Sequence, residues 1–289
     1  MSKRHATSGR LQRDRRGAVT RLAALCAGAW AALRAPAALG ADPSPARWDT
    51  LRQQLFAGRT FEPDATGVVE LDLPVRADDA AVVPLIVRTH AAPPDERPQR
   101  YVRKIYLVID NNPSPLGAIF TFTPDSGRAD IETRVRIEDY TDVHAIAETS
   151  DGKLYVATRY VKAAGGCSAP AGKDAALALA QLGKLRLRTD GAVRVDQPSL
   201  AQLMISHPND SGLVMDQVTR LYTPPRFVRT LAVTYAGKPV LSAELDFTIS
   251  ENPNFRFYFV PRGAGELKAE VIDTDGRAFE GAIDVRPGS

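Results

Sequence analysis

The sequence predicts an all-β chain: two immunoglobulin-like antiparallel β-sandwich domains joined by a glycine-rich cysteine segment and a short linker helix, with one helix on the N-terminal side. Short runs rich in Val, Ile, Thr, Tyr and Phe recur along most of the chain, many of them alternating apolar with polar residues as half-buried strands do. Clusters of Gly, Pro, Asn and Asp separate these runs at intervals suited to antiparallel pairing. The 289 residues include 21 Gly and 21 Pro, and no apolar run reaches the roughly 18 residues that read as a membrane-spanning helix.

Residues 1–40 have the form of a secretory signal. A basic start leads into an apolar stretch from Leu22 to Leu33, then small residues ending Ala38-Leu39-Gly40. Arg15-Arg16 is the pair a twin-arginine signal carries, although Gly17-Ala18-Val19 lacks the bulky residues that usually follow it. The competing reading of Leu22 to Leu33 is a short buried helix. A lipid anchor on Cys26 is disfavoured by Leu25, which stands where a small residue is needed. The expectation is an exported, periplasmic protein with no membrane contact after processing.

The next segment, Ala46 to Phe56, carries Trp48, Leu51 and Leu55 at helical spacing. Strands are then expected at Val68–Leu73, Val82–Thr89, Tyr101–Asp110, Ala118–Thr123, Ile131–Ile137, Val143–Thr149 and Lys153–Val161. Together these make a first domain over residues 41–162. Residues 163–183 hold the cysteine segment and a helix-favouring Ala and Leu run, Asp174 to Leu182, closed by Gly183. A second domain over 184–289 is expected from strands at Lys184–Thr189, Ala192–Asp196, Ala201–Ser206, Arg226–Tyr235, Pro239–Phe247, Asn254–Val260, Glu266–Thr274 and Ala278–Val285. Ala236-Gly237-Lys238 and Asp273 to Arg277 read as hairpin turns. Phe255, Phe257 and Phe259 alternate with Arg256 and Tyr258, so one face of their strand belongs to the core.

Charge narrows the function classes. The chain has 37 basic and 34 acidic residues, but eight of the basic ones and one acid fall in the first 34 positions, leaving 29 against 33, or −4. Basic residues in that body are interspersed with acids, which argues against nucleic acid as a partner. His90, His144 and His207 lie far apart in sequence and none has metal-ligand spacing with Cys or another His, so no metal site is expected. Gly165-Gly166 precedes no Walker lysine-serine pair and lacks dinucleotide spacing.

Removal of the leader takes Cys26 with it and leaves Cys167 as the single thiol, so no internal disulfide can form. A free thiol in an oxidising compartment is a liability unless it is buried or used. Cys167 lies in Lys162-Ala163-Ala164-Gly165-Gly166-Cys167-Ser168-Ala169-Pro170-Ala171-Gly172-Lys173, without a branched apolar residue to wall a core. The composition predicts a mobile, exposed segment with small side chains. A thiol enzyme would need a base beside Cys167, and the local segment has none. His207-Pro208 could serve partner recognition but fits a turn, and Asn111-Asn112-Pro113 and Asn252-Pro253 read as turn chemistry.

The first domain, through Asp110-Asn111-Asn112-Pro113-Ser114-Pro115-Leu116, Thr133-Arg134-Val135-Arg136 and Asp151-Gly152-Lys153-Leu154-Tyr155 leading to Gly165-Gly166-Cys167, resembles the SoxY subunit of sulfur-oxidation carrier proteins. The second, through Met204-Ile205-Ser206-His207-Pro208, Gly212-Leu213, Arg226-Phe227-Val228 and Ser250-Glu251-Asn252-Pro253, resembles SoxZ. Both in one polypeptide resemble the fused carriers associated with quinoprotein dehydrogenases. The resemblance implies a non-catalytic carrier with no cofactor beyond a covalent sulfur adduct on Cys167, borne on a glycine-rich swinging arm with Gly165, Gly166 and Gly172 as hinges. Lys162 and Lys173 could support a thiolate or an anionic adduct by charge, although exposed lysines are commonly just solvated. It also implies pairing of the two domains, and partners among sulfur-oxidising or redox enzymes, including a c-type cytochrome or a PQQ dehydrogenase. The family's arm usually ends the chain as Gly-Gly-Cys-Gly-Gly, whereas here Ser168-Ala169-Pro170 follows. An arm tethered at both ends reaches at most about 20 Å, at ~3.4 Å per extended residue over half the loop, and Pro170 stiffens its far side. The alternative reading is an accessory binding module of a quinoprotein dehydrogenase with the thiol incidental.

Overall fold

The computed structural model describes residues 45–90, 100–169, 180–215 and 219–288. The leader, Gly172, Lys173 and most of the expected linker helix lie outside the described residues. One helix, α1 (Pro45–Phe56), precedes fourteen strands among the described residues. The first seven are β1 (Val69–Asp72), β2 (Val83–Thr89), β3 (Val102–Ile109), β4 (Leu116–Phe122), β5 (Ile131–Val135), β6 (Thr141–Thr149) and β7 (Leu154–Val161). The second seven are β8 (Leu185–Asp190), β9 (Ser199–Ile205), β10 (Val228–Tyr235), β11 (Lys238–Leu245), β12 (Asn254–Phe259), β13 (Gly265–Asp273) and β14 (Ala278–Val285).

Alternation of burial explains why these runs pleat as they do. β2 buries Val83, Leu85, Val87 and Thr89, and β12 buries Phe255, Phe257 and Phe259 while Arg256 and Tyr258 turn outward. The Tyr235–Lys238 hairpin closes on Ala236 and Gly237, both at positive φ (47° and 77°), the geometry whose twist matches that of the flanking strands. At the other expected hairpin, the Asp273 carboxylate accepts from the amides of Asp275 and Arg277, and Gly276 takes φ 78°.

The strands assemble into a six-stranded sheet, β1-β2-β5-β12-β9-β8, and an eight-stranded sheet, β14-β13-β10-β11-β4-β3-β6-β7. Each half of the chain supplies three strands to the first and four to the second, the composition of an immunoglobulin-like sandwich. The order within the halves repeats: each of β1–β7 has its counterpart seven strands later, at the same distance from the centre of its sheet. The sequence predicts two self-contained sandwiches, but the sheets run on from one half to the other. β4 pairs antiparallel with β11 from Ala118↔Leu245 to Phe122↔Leu241, and β5 pairs with β12 through Glu132↔Arg256 and Ile131↔Phe257. Strand edges that each half alone would leave open are thereby closed by the other. One buried apolar layer follows, containing Leu85, Ile105 and Phe120 from the first half with Leu203, Phe255 and Leu267 from the second.

Two local expectations change. Ala192–Asp196 is not a strand; Gly191 and Asp196 take positive φ, and only Arg194 forms a single bridge, to Gly288. In α1, Trp48, Leu51 and Phe56 pack with Phe61, Tyr106, Val108, Ile146 and Leu154, whereas Leu55 is 36% exposed. Trp48 also stacks on His144 with ring centroids 3.9 Å apart.

Candidate functional site around Cys167

Beyond β7 the chain continues as an extended segment laid along its own half. Lys162 donates its amide to the Val75 carbonyl at 2.8 Å and forms a parallel bridge with Arg76. Arg194 and Gly288 make the equivalent parallel bridge after β14, so the cysteine segment follows the path that the repeat dictates. Lys162 is exposed, and Ala163 is buried.

The segment then meets the residues that follow β5. Ile137 donates to the Ala80 carbonyl (2.9 Å), Gly166 donates to the Ile137 carbonyl (2.9 Å), and Gly165 donates to the Glu138 carbonyl (2.8 Å). Gly165 adopts φ 80°, the left-handed region that glycine enters without penalty. Gly166 answers a different need: a Cβ there would sit 2.0 Å from the Ala80 oxygen and 2.7 Å from the Ile137 oxygen. Only a residue without a side chain passes between those two stretches of backbone.

Cys167 follows with 0% exposure. Its amide donates to Glu138 Oε2 at 2.8 Å, the Ser168 amide donates to the same oxygen at 3.2 Å, and the Ser168 hydroxyl donates to Oε1 at 3.1 Å. From the second half, Ser211 Oγ donates to the Cys167 carbonyl at 2.5 Å. The expectation of an exposed, mobile thiol is therefore corrected. Small residues that appear to lack a core wall are what lets the chain lie against backbone and carboxylate, where amide hydrogen bonds replace apolar contacts.

Burial pushes the Cys167 thiol up to about 12, with the charges of Glu138 and Asp246 adding to the rise and Arg136 opposing it. Among the described residues the cation acting on the thiol is Arg136. Arg136 is itself buried and lies between the halves: its Nη1 donates to the carbonyls of Asn209 (2.8 Å), Phe247 (2.8 Å) and Ile249 (3.0 Å), and its Nη2 to that of Pro208 (3.4 Å). Burial lowers its pKa, while Cys167, Glu251 and Asp210 act in the opposite sense. The Glu138 oxygens accept from backbone and serine donors, and its charge raises the thiol pKa.

Asn112 holds the Arg136–Glu138 stretch. Its Nδ2 donates to the Arg136 carbonyl (2.8 Å) and its Oδ1 accepts from the Glu138 amide (2.9 Å) at 0% exposure. Asn111 Nδ2 donates to the Tyr140 carbonyl, Asn252 takes φ 48°, and Asn252 Oδ1 accepts from the His207 amide, so both side chains tie distant segments together. His207 is 1% exposed, and its Nδ1 accepts from the Asn209 amide. That burial removes it from partner recognition and lowers its pKa. The sequence reading missed Glu138, Ser211 and the role of Asn112, and it treated Arg136 only as part of a longer run. Gly172 and Lys173 lie outside the described residues. Among the described residues no group of three His, Cys, Asp or Glu side chains could hold a metal ion.

Comparison with known proteins follows this geometry closely. The family model for the sulfur oxidation protein SoxY matches residues 52–167 and so ends on Cys167, and that for the sulphur oxidation protein SoxZ matches residues 187–284. No curated protein matches. Among solved structures, the sulfur carrier protein SoxY from Chlorobium limicola f thiosulfatophilum is similar at 24% identity over 41% of this chain and 97% of that one, with a TM-score of 0.33. A superoxide reductase (neelaredoxin) from Ignicoccus hospitalis is similar at 13% identity over 39% of this chain and 86% of that one, with a TM-score of 0.29. The fibronectin(III)-like modules of Clostridium thermocellum CbhA are similar at 11% identity over 76% and 94%, with a TM-score of 0.22. At such scores these structural likenesses carry no weight for function.

Proposed function

We propose, for a chain that belongs to the sulfur-oxidation carrier family as a SoxY domain and a SoxZ domain fused in one polypeptide, that Cys167 holds a sulfur intermediate covalently and presents it to partner enzymes in the periplasm. The family supports a sulfur-carrier role, and the pairing of its two domains is the β4–β11 and β5–β12 junction. The observation that carries the cysteine reading is the end of the SoxY match on the only thiol beyond the leader-like segment, directly after two glycines.

The chemistry of loading sets the partner class. Joining the Cys167 thiol to a sulfur nucleophile such as thiosulfate forms an S–S bond and releases the thiol proton and two electrons. An electron acceptor must therefore take part, and the proposed partners among redox enzymes include one of the c-type cytochrome class. Gly165, Gly166 and Gly172 are the proposed hinges, and Lys162 and Lys173 remain candidates for charge support of an anionic adduct once the segment has moved outward. The basic leader and its small-residue end support export, by a general or a twin-arginine route.

A second reading has one observation in its favour. A thiol with 0% exposure and a pKa raised to about 12 is what an incidental, structural cysteine looks like, as in an accessory module of a PQQ-dependent dehydrogenase. Replacing Cys167→Ser in the host separates the two. The carrier reading expects loss of growth on the relevant substrate with the protein still folded, and undiminished growth would favour the accessory module.

A further inference from the structure

We infer that Glu138 is the latch of the cysteine segment, holding the unloaded arm against the fold and letting it go once sulfur is attached to Cys167. The inference rests on the carrier reading and deepens it. Four successive amides, those of Gly165, Gly166, Cys167 and Ser168, are all satisfied by Ile137 and Glu138, and the last two converge on one carboxylate oxygen. Ser168 Oγ occupies the other oxygen, and Ser211 from the second half closes over the Cys167 carbonyl. Hydrogen bonds to an ionised acceptor are the strong ones, and this set is local enough to break as a unit.

The docked site is closed over the bare thiol. Cys167 has no exposed surface, and a second sulfur would lengthen its side chain by about 2 Å into enclosing protein. A sulfonate at the end of that adduct would bring negative charge towards Glu138 and Asp246, both of which already act on the sulfur. Among the described residues Arg136 is the one cation acting there, but its Nη1 and Nη2 are engaged by four main-chain carbonyls that join the halves. Turning it to an adduct would strip those carbonyls. The empty arm is thus stored and shielded from oxidants and from dimerisation, and the loaded arm is the one that partners meet.

The test is hydrogen exchange of the peptide spanning residues 163–169 in the purified full-length protein, before and after loading with tetrathionate. In that reaction the Cys167 thiolate attacks a central sulfur of tetrathionate. A new S–S bond forms, the central S–S bond breaks, and thiosulfate leaves with the electron pair, giving Cys–S–S–SO3−. The expected result is that amides 165–168 are protected in the thiol form, exchange at least about tenfold faster in the adduct, and regain protection after reduction by a dithiol. Equal protection in both forms, or none in the thiol form, overturns the latch. Glu138→Gln should lose protection at amides 167 and 168, the two its carboxylate accepts, without any adduct and with an unchanged melting temperature. Should that variant fail to fold, Ser168→Ala provides a partial release by the same readout. Because loading is chemical, this outcome does not depend on what the cell attaches, and failure of the carrier reading would appear separately in the growth of Cys167→Ser.

Discussion

At the scale of single residues, the thiol of Cys167 is stored as a proton-bound group, and its reactivity belongs to the undocked arm. Its folded pKa is raised from an ordinary 9.0 to about 12, so the stabilisation that docking provides is complete below pH 9 and is lost as pH rises from 9 towards 12. The alkylation rate of Cys167 should therefore go on climbing above pH 9, where an exposed cysteine has levelled off; a plateau near pH 9 would show an arm that is already free. Gly166→Ala places a Cβ against two backbone oxygens and should raise the neutral-pH alkylation rate more than Gly165→Ala does. At Gly165 a side chain finds open space but a left-handed φ, a strain of about 1 kcal/mol, or about fivefold in thiol exposure. Cys167 and its two glycines were legible in the sequence because small residues around a lone thiol are unusual. Glu138 and Ser211 were not, since they lie 29 and 44 positions away and reach the segment through hydrogen bonds that leave no periodic trace.

At the scale of elements, strands were readable because each buries alternate side chains, and Phe255, Phe257 and Phe259 show this at 0% exposure. Phe257→Ala should cost about 3–5 kcal/mol in chemical denaturation, as Phe257 sits on the strand that pairs with β5; a loss below about 1 kcal/mol would contradict its place in the core. The false strand at Ala192–Asp196 has alternating residues but is flanked by positive φ at Gly191 and Asp196, a backbone property that alternation does not encode. The helix was visible from its spacing, but its face was misjudged at Leu55, because the inward direction is set by Phe61 and by Trp48 stacking on His144. Trp48→Ala should loosen α1, seen as faster exchange of the α1 amides, and leave protection of β10 and β13 unchanged.

At the scale of the whole molecule, the fusion is more than two domains on one chain, because both sheets are continuous across the halves and share one buried layer. Calorimetry should therefore give a single unfolding transition, and two separate transitions would show that the halves are stable alone. The sequence reading found both halves but not their continuity, since edge-to-edge pairing of β4 with β11 uses main-chain groups that any strand carries. Arg136 belongs to this scale as well: Arg136→Ala would leave the Pro208, Asn209 and Phe247 carbonyls without this donor, while Ile249 keeps Asn209 Nδ2, and should cost about 2–4 kcal/mol. Placed at that junction, the cysteine is held by Glu138 of one half and Ser211 of the other, so the pairing of the halves builds the place where the Cys167 thiol rests. The carrier claim itself is tested most directly by the intact, non-reduced mass of the protein isolated from cells oxidising a reduced sulfur compound, measured again after reduction. A reducible increment on Cys167, matching sulfane sulfur or an oxidised sulfur group, is the predicted result, and an unmodified thiol under every growth condition would contradict it.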